Sequence, residues 1–318
     1  MQTNTLLAAL LKENVRGGVA DAAFRRTDLL NLLGTSGRVM DNMGSEPIEW
    51  PIATAANGSV ESFSEGQAPP VSGAQTYKRP SLNVLVNARG VFGITGHARD
   101  NAAKGGFVVE VPTIEEALTK SDVLKKAEDL LLGSTTDVGI AAIIDSTGTY
   151  AGLSQASVSQ WASEENGSVG ALTLAALQSL LEEMVSPSGG SSVPRGAKPT
   201  HWLMPTNQYF NYLDLAGAPG AANAAFRWRA GDPADFSYAN ASLTGSAYMG
   251  VPIAVISGIT STEIYLVDIM GMKLWIHRDL TIEQIASNPE NLQYQVSTRM
   301  ALEVTLRNHH GKMTGITA

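Results

Sequence analysis

The sequence predicts an α+β fold, and three patterns predict it. Alternating apolar residues mark half-buried strands early in the chain (Ile48, Trp50, Ile52) and again near its end, where Val296, Thr298, Met300, Leu302, Val304 and Leu306 share one face. Between them a helical period opens after Thr113. The middle of the chain mixes helix and strand candidates, as an α/β or α+β domain with a large loop-rich insertion would.

A length of 318 residues sets an expectation of about two domains, and 44% hydrophobic with 16% charged residues is globular composition. Lys and Arg total 22 against 30 Asp and Glu, a formal charge of -8. That sign is wrong for a surface that must neutralise phosphates, so sequence-reading of nucleic acid is disfavoured. The absence of cysteine excludes disulfides, thiolate metal sites and cysteine nucleophiles, and leaves the redox compartment open. No apolar stretch approaches the ~18 residues that span a bilayer, and the start MQTNTLLAALLKENVRGG is too polar for a secretory signal. A soluble cytosolic product with no membrane partner is expected. The Asn-x-Ser triplets at Asn57, Asn166 and Asn240 then read as turns.

Residues 1–45 carry one amphipathic candidate (Leu6, Leu7, Leu10, Leu11), the pair Gly17 and Gly18, and a segment Phe24–Leu33 containing Arg25 and Arg26, followed by Gly34, Gly37 and Gly44. This is an arm without a core of its own. The strand Ile48–Ile52 and a second one, with Leu82, Val84, Val86 and Ala88 on one face, read as the two arms of a long hairpin. Its tip, Asn57–Lys78, is far longer than the two to five residues or so of a compact hairpin loop. A ribbon of about ten residues per arm reaches about 30 Å and cannot bury both faces within itself. It needs another surface, from the rest of the same chain or from a neighbouring copy, and the long polar tip with the coreless arm before it favours the neighbour. Glu61 and Glu65, opposite Lys78 and Arg79, are candidates for pairing across the ribbon or between ribbons. Phe63, Arg25 and Arg26 complete the set of candidate contacts between subunits.

Thr113 and Glu116 form a capping-box pattern after Pro112, so a helix is expected to start there. Its periodicity runs to about Ile144, roughly 45 Å at 1.5 Å per residue. Gly133 and Gly139 would each cost about 1 kcal/mol inside it, which makes a break near Gly133 the competing expectation. Asp145–Leu153 is a turn. Helices are expected at Leu172–Val185 and Asn207–Leu215, strands at Thr200–Met204 and Val251–Ser257, and loops at Ser186–Lys198 and 216–245. The last sixty residues or so are strand-rich: Glu263–Asp268, Met272–Arg278, Thr281–Ile285 and the final alternating strand. That strand sets Ser297, Arg299, Ala301, Glu303, Thr305 and Arg307 toward water or another chain, and its apolar face toward the long helix.

Chemistry-bearing motifs are sparse. Gly34-Thr35-Ser36-Gly37 lacks nucleophile-elbow spacing, and the five His (97, 201, 277, 309, 310) are scattered. Gly190–Lys198 lacks the spacing of a phosphate-binding loop. Gly90, Gly93 and Gly96 read as a bend or bulge at the hairpin base. His309 and His310, adjacent on a strand, point to opposite faces and read as surface residues. Trp50, Trp202 and Trp275 are core candidates. The pairs Glu115-Glu116, Glu164-Glu165 and Glu182-Glu183 are expected to be solvated. No catalytic, cofactor-binding or metal residue is assigned. An enzyme reading would have to place its site around His201, Trp202, Asn207 and Tyr209.

The order arm, hairpin, long helix, mixed domain and closing sheet resembles the major capsid proteins of tailed bacteriophages, the Hong Kong 97-type fold. Three stretches support the resemblance. Asp145–Leu153 looks like the turn ending the family's spine helix, Ala247-Tyr248-Met249-Gly250-Val251-Pro252-Ile253 is similar to its strand entry, and Ile264–Leu306 to its terminal sheet. The resemblance implies an N-terminal arm at 1–45, an extended loop at 46–100, a peripheral domain from 101–150 with 259–318, and an axial domain at 151–258. It also implies hexamers and pentamers of a DNA-filled icosahedral shell, with a separate scaffolding protein and a portal as partners. The acidic balance fits an inner wall that encloses DNA without sequence-specific binding. An encapsulin-like nanocompartment is the alternative within the same fold.

Overall fold

The computed structural model describes residues 27–41, 47–55, 62, 65, 76–83, 85–95, 110–154, 158, 161–185, 197–217, 247–288 and 291–317. The expected amphipathic piece at Leu6–Leu11 and the loops 186–196 and 218–246 lie outside them, as do Asn57, Asn240, Val84 and Gly96. In chain order the helices are α1 Asp28–Thr35, α2 Glu110–Leu132, α3 Ile140–Ile143, α4 Leu174–Val185 and α5 Thr206–Gly217. Strands β1 Val39–Asp41, β2 Ile48–Glu49, β3 Ile52–Ala55, β4 Thr76–Lys78, β5 Ser81–Leu82 and β6 Val86–Thr95 precede α2. Strands β7 Thr149–Tyr150, β8 Leu153–Ser154, β9 Glu164–Asn166 and β10 Gly170–Ala171 lie between α3 and α4, and β11 His201–Met204 lies between α4 and α5. After α5 come β12 Ala247–Tyr248, β13 Val251–Val255, β14 Ile264–Val267, β15 Met272–Asn288, β16 Asn291–Val304, β17 Gly311–Met313 and β18 Ile316–Thr317. The chain divides into two compact units, one built from 1–27, 85–129 and 276–301, the other from 28–84, 130–275 and 302–318.

In the first unit the order β15-β16-β6 forms a sheet, with β16 antiparallel to β6 from Asn291 opposite Thr95 to Met300 opposite Val86. Period two sends Val86, Ala88 and Phe92 of β6 to the same face as Val296 and Met300 of β16, and all five are buried. Helix α2 covers that face, contributing Val123 and Ala127, as the alternation predicts. Gly90 is where the helix comes closest: a β-carbon there would lie 2.8 Å from Thr119 Cγ2 and 3.0 Å from Val123 Cγ2. The glycine run is therefore no bend at a hairpin base, because Gly90 and Gly93 sit in regular register opposite Val296 and Gln293. The opposite face carries Asn87, Arg89 and Val91, all exposed. The two strands expected at 272–278 and 281–285 are one, β15, held through its middle by Thr298 Oγ1 donating to the Arg278 carbonyl at 3.0 Å.

The second unit is built on a mixed six-stranded sheet, β12-β13-β11-β14-β17-β9, in which β11 runs parallel to β13 and β17 parallel to β9. Helix α4 turns Leu177, Leu180 and Met184, spaced three and four apart, onto the core around Trp202, Ile253, Leu266 and Met313. The expected strand and helix at 200–215 are β11 and α5. The expected loop begins later than predicted, since α5 runs on through Gly217.

Helix α2 starts at Glu110, so Thr113 is not its cap; Pro112 lies in the first turn, where the missing N–H is no loss. The helix ends at Leu132 rather than near Ile144, which is the competing expectation. Past Gly133 the chain loops back, and Ile140, Ile143 and Ile144 are fully buried. The loop closes on itself so tightly that a β-carbon at Gly139 would sit 1.8 Å from the Gly133 carbonyl oxygen. Backbone must move to admit any side chain there. Gly139→Ala is expected to cost at least 1–3 kcal/mol, roughly what overpacking costs elsewhere, read as a lower thermal midpoint by circular dichroism.

Candidate functional site

The ribbon exists in the second unit. Ile48 pairs with Leu82, Glu49 with Ser81, Ile52 with Lys78 and Ala53 with Tyr77. Its return arm is β4 and β5, ending at Leu82; Val86 and Ala88, expected to continue it, belong to β6 and the other unit. Trp50, Ile52 and Leu82 are buried, whereas Pro51, Ala53, Thr76, Tyr77 and Arg79 are exposed, Tyr77 by 61%. One side of the ribbon thus rests on its own subunit and the other is exposed to solvent.

Of the predicted contact residues, Glu65 lies in an exposed turn, Lys78 is half-buried and Arg79 is exposed. Arg25, Arg26, Glu61 and Phe63 lie outside the described residues. In the described ribbon Lys78 faces Ile52, and Glu65 lies beyond the paired strands.

Behind the ribbon is a mount that the sequence reading missed. The Ser81 N–H donates to the Ala151 carbonyl at 2.9 Å, and the Trp50 ring lies 6.1 Å from that of Tyr150. Tyr150 is locked in turn: its hydroxyl donates to the Leu302 carbonyl at 3.0 Å and accepts from the Val304 N–H at 3.0 Å. Trp161 lies 5.9 Å from Tyr150 and donates Nε1–H to the Thr305 carbonyl at 3.0 Å. The guanidinium carbon of Arg307 sits 5.4 Å from the Tyr150 ring centre and 5.3 Å from that of Trp161. Arg307 Nε donates to the Ile143 carbonyl at 2.8 Å. Burial pushes the Tyr150 phenol up and pulls Arg307 down to about 10, so at neutral pH the phenol is protonated and the guanidinium charged.

Arg307 and Glu303 correct the expected wet face of the last strand: Arg307 is fully buried and Glu303 is 1% exposed. Glu303 accepts from Lys273 Nζ at 3.1 Å and from the Trp275 indole N–H. Leu306, expected inside, is 39% exposed, because the strand ends at Val304 and a 3₁₀ turn over Arg307–His309 resets the periodicity.

Beside the mount, Lys312 Nζ lies 3.5 Å from Asp145 Oδ2 and 3.4 Å from Glu165 Oε1, and donates to the Ala141 carbonyl at 3.2 Å. Glu165 is therefore paired and half-buried rather than solvated. Burial alone would raise the Asp145 carboxyl; N–H donors from Thr147 and Gly148, with Lys312, more than offset it and hold the group below its ordinary value. His310, expected at the surface, is fully buried. Its Nδ1 accepts from the Asp268 N–H at 3.3 Å, and burial drives its pKa to about 3.

The residues of the enzyme reading are dispersed into structural roles. Trp202 is fully buried against Tyr248 and Tyr209 stacks beside Tyr212. Asn207 donates to the Ser261 carbonyl at 3.1 Å, and His201 Nδ1 lies 3.1 Å from Thr200 Oγ1. Among the described residues no group of three acidic or His side chains is placed to hold a metal, and no helix is long and apolar enough to cross a membrane.

No protein-family model and no curated protein matches the chain. Solved structures do. The capsid asymmetric unit of cyanophage A-1(L) is 18% identical with a TM-score of 0.71, the match covering 99% of this chain and 100% of that one. The capsid of a native GTA particle is 14% identical at 0.60, covering 96% and 94%. The holo-SrpI encapsulin complex of Synechococcus elongatus PCC 7942 is 13% identical at 0.59, covering 99% and 96%. The order of elements read from the sequence and the shape shared over whole chains agree: this polypeptide has the Hong Kong 97-type fold.

Proposed function

We propose that the chain is a major capsid protein, the self-assembling subunit of the icosahedral head that encloses a phage double-stranded DNA genome. The observation that carries this reading is the match to the cyanophage capsid subunit, which leaves almost nothing of either chain unaccounted for. The role is structural, and the location is the virion, assembled in the host cytoplasm. In this reading 1–45 is the arm, 46–100 the extended loop laid on an adjacent subunit, 101–150 with 259–318 the peripheral domain, and 151–258 the axial domain. Glu65, Lys78 and Arg79, with Glu61, Phe63, Arg25 and Arg26, face the neighbour. The solvent-exposed side of the ribbon and the hydrogen-bonded mount behind it support that placement. A scaffolding protein and a portal are the further partners, and a net charge of -8 suits a wall that encloses DNA without gripping it.

Negative-stain microscopy of the expressed protein is expected to show closed shells or capsomers. Deleting 58–75 is expected to leave a folded subunit that no longer assembles, because the deletion lies beyond the paired strands of the ribbon. A variant that loses all helical signal would mean the tip belongs to the subunit's own core. The match to the encapsulin favours a second reading, a nanocompartment subunit. Particle contents separate the two: packaged DNA supports the capsid, an enclosed protein cargo the compartment.

A further inference from the structure

Among the described residues the first unit's sheet ends in two open edges. Strand β6 is terminal in the order β15-β16-β6, and on the far side β1 reaches only the start of β15, where the Leu274 N–H donates to the Arg38 carbonyl at 2.8 Å. From Leu280 onward the outer edge of β15 has no strand beside it among the described residues. An edge of this length is a template for another strand and is ordinarily blunted by bulges, prolines or charge. Here 280–288 contains no proline, and Ile282 and Ile285 stand 37% and 48% exposed on it.

The two edges are unlike and complementary. Over 86–95 strand β6 carries one charge, Arg89; over 280–288 strand β15 carries one, Glu283. Thr281 Oγ1 lies 3.4 Å from Ser297 Oγ, which puts Thr281, Glu283 and Ile285 on the face of the sheet that carries Arg89 and Val91 and that α2 leaves open. Both strands point the same way, since each is antiparallel to β16 or its hairpin partner, so edge-to-edge joining of two copies is parallel.

Resting on the reading of the chain as a self-assembling subunit, we propose that β6 of one copy pairs in parallel with β15 of the next, in the register that sets Arg89 opposite Glu283, Val91 opposite Ile285 and Ala88 opposite Ile282. One ion pair and two apolar pairs form together in this register, and a shift of two residues in either direction breaks Arg89 from Glu283. The two surfaces differ, so the contact is head-to-tail and generates rings or sheets of copies rather than an isolated dimer. Each cross-strand pair is weak on its own, but the contact repeats at every subunit.

The chain has no cysteine, which makes the test clean. Particles assembled from the double variant Val91→Cys, Ile285→Cys are oxidised and run on a non-reducing gel. A ladder of covalent multimers is expected, several-fold stronger than from the two-residue mismatch Arg89→Cys, Ile285→Cys. In parallel, Arg89→Glu and Glu283→Arg should each lower particle yield several-fold, and the two reversals combined should restore it, which a merely destabilising change would not do. Circular dichroism confirms that each variant is folded. Particles that form normally, give no ladder and ignore both reversals overturn the pairing and leave the shell reading standing. A wild-type chain that stays monomeric at high concentration removes the shell reading, and this pairing with it.

Discussion

Replacing Arg307 by Met is expected to lower the thermal midpoint of the folded subunit by roughly 5–15 °C. Methionine has a similar length and no charge, so the substitution isolates the polar function of a fully buried side chain. Two carbonyls, Ile143 and Asp145, lose their guanidinium donor, the second of them held at 3.5 Å. A buried acceptor left unsatisfied costs about 1–3 kcal/mol, and a desolvated cation over an aromatic ring contributes about 2 kcal/mol. Against this, the variant no longer buries a charge that lacks a carboxylate in direct contact and whose Nη1 has no hydrogen-bond partner. The favourable contacts outnumber that relief, leaving a net loss of about 2–4 kcal/mol. In a domain of about 150–250 residues each kcal/mol moves the midpoint by about 2–4 °C. Melting followed by tryptophan fluorescence reads it directly, because Trp161 is one wall of the site and Trp50 lies beyond Tyr150. A variant as stable as the parent would mean that desolvation of Arg307 cancels everything it holds, and that the ribbon's mount is simply aromatic packing.

Much of this architecture is legible in the sequence because it rests on periodicity. The period-two runs at Ile48–Ile52 and Val296–Val304 and the amphipathic stretches at Leu172–Val185 and Asn207–Leu215 all form the elements they predict. The failures share a physical origin. Alternation sets Glu303 and Arg307 toward water or another chain because it assumes that the face away from the apolar one is uncovered by its own subunit, yet tertiary structure covers both faces there and supplies each charge with partners. His310 reads as a surface residue only on the premise of a continuing strand, which the 3₁₀ turn ends. The triad of Lys312, Asp145 and Glu165 joins residues far apart in sequence: the parallel pairing of β17 with β9 sets Lys312 beside Glu165, and the turn holding Asp145 is tied to Glu165 through the Ser146 hydroxyl. Gly90 fits local bending equally well from sequence; its cause is the helix packed against that face of the sheet, and no local pattern distinguishes the two.

The second large effect concerns acid. His310 is neutral in the folded subunit, with a pKa near 3 against 6.5 for the exposed side chain. Burial depresses it. Asp268, the nearest carboxylate, pulls the other way, while His309 and Arg307 reinforce the depression. Between those two values the unfolded chain binds a proton that the folded subunit does not, so stability falls as pH drops below about 6.5 and the loss is complete only near 3. Linkage puts the loss at about 2 kcal/mol by pH 5 and about 3 kcal/mol by pH 4. The carboxylates Asp145 and Asp268 act in the same direction at lower pH: both are held below their ordinary value of 3.8, and their contribution disappears as they are protonated beneath it. His310→Asn separates the two ranges, because the Asn side-chain oxygen can still accept from the Asp268 N–H but does not titrate. The urea midpoint should fall steeply from pH 7 to pH 5 in the parent and much less in the variant, with the two converging in slope only below about pH 3, where the imidazole is protonated in both states and only the carboxylates remain. Equal slopes in parent and variant between pH 7 and 5 would show that the imidazole is reached by water, and that the seal around β17 opens before the subunit unfolds.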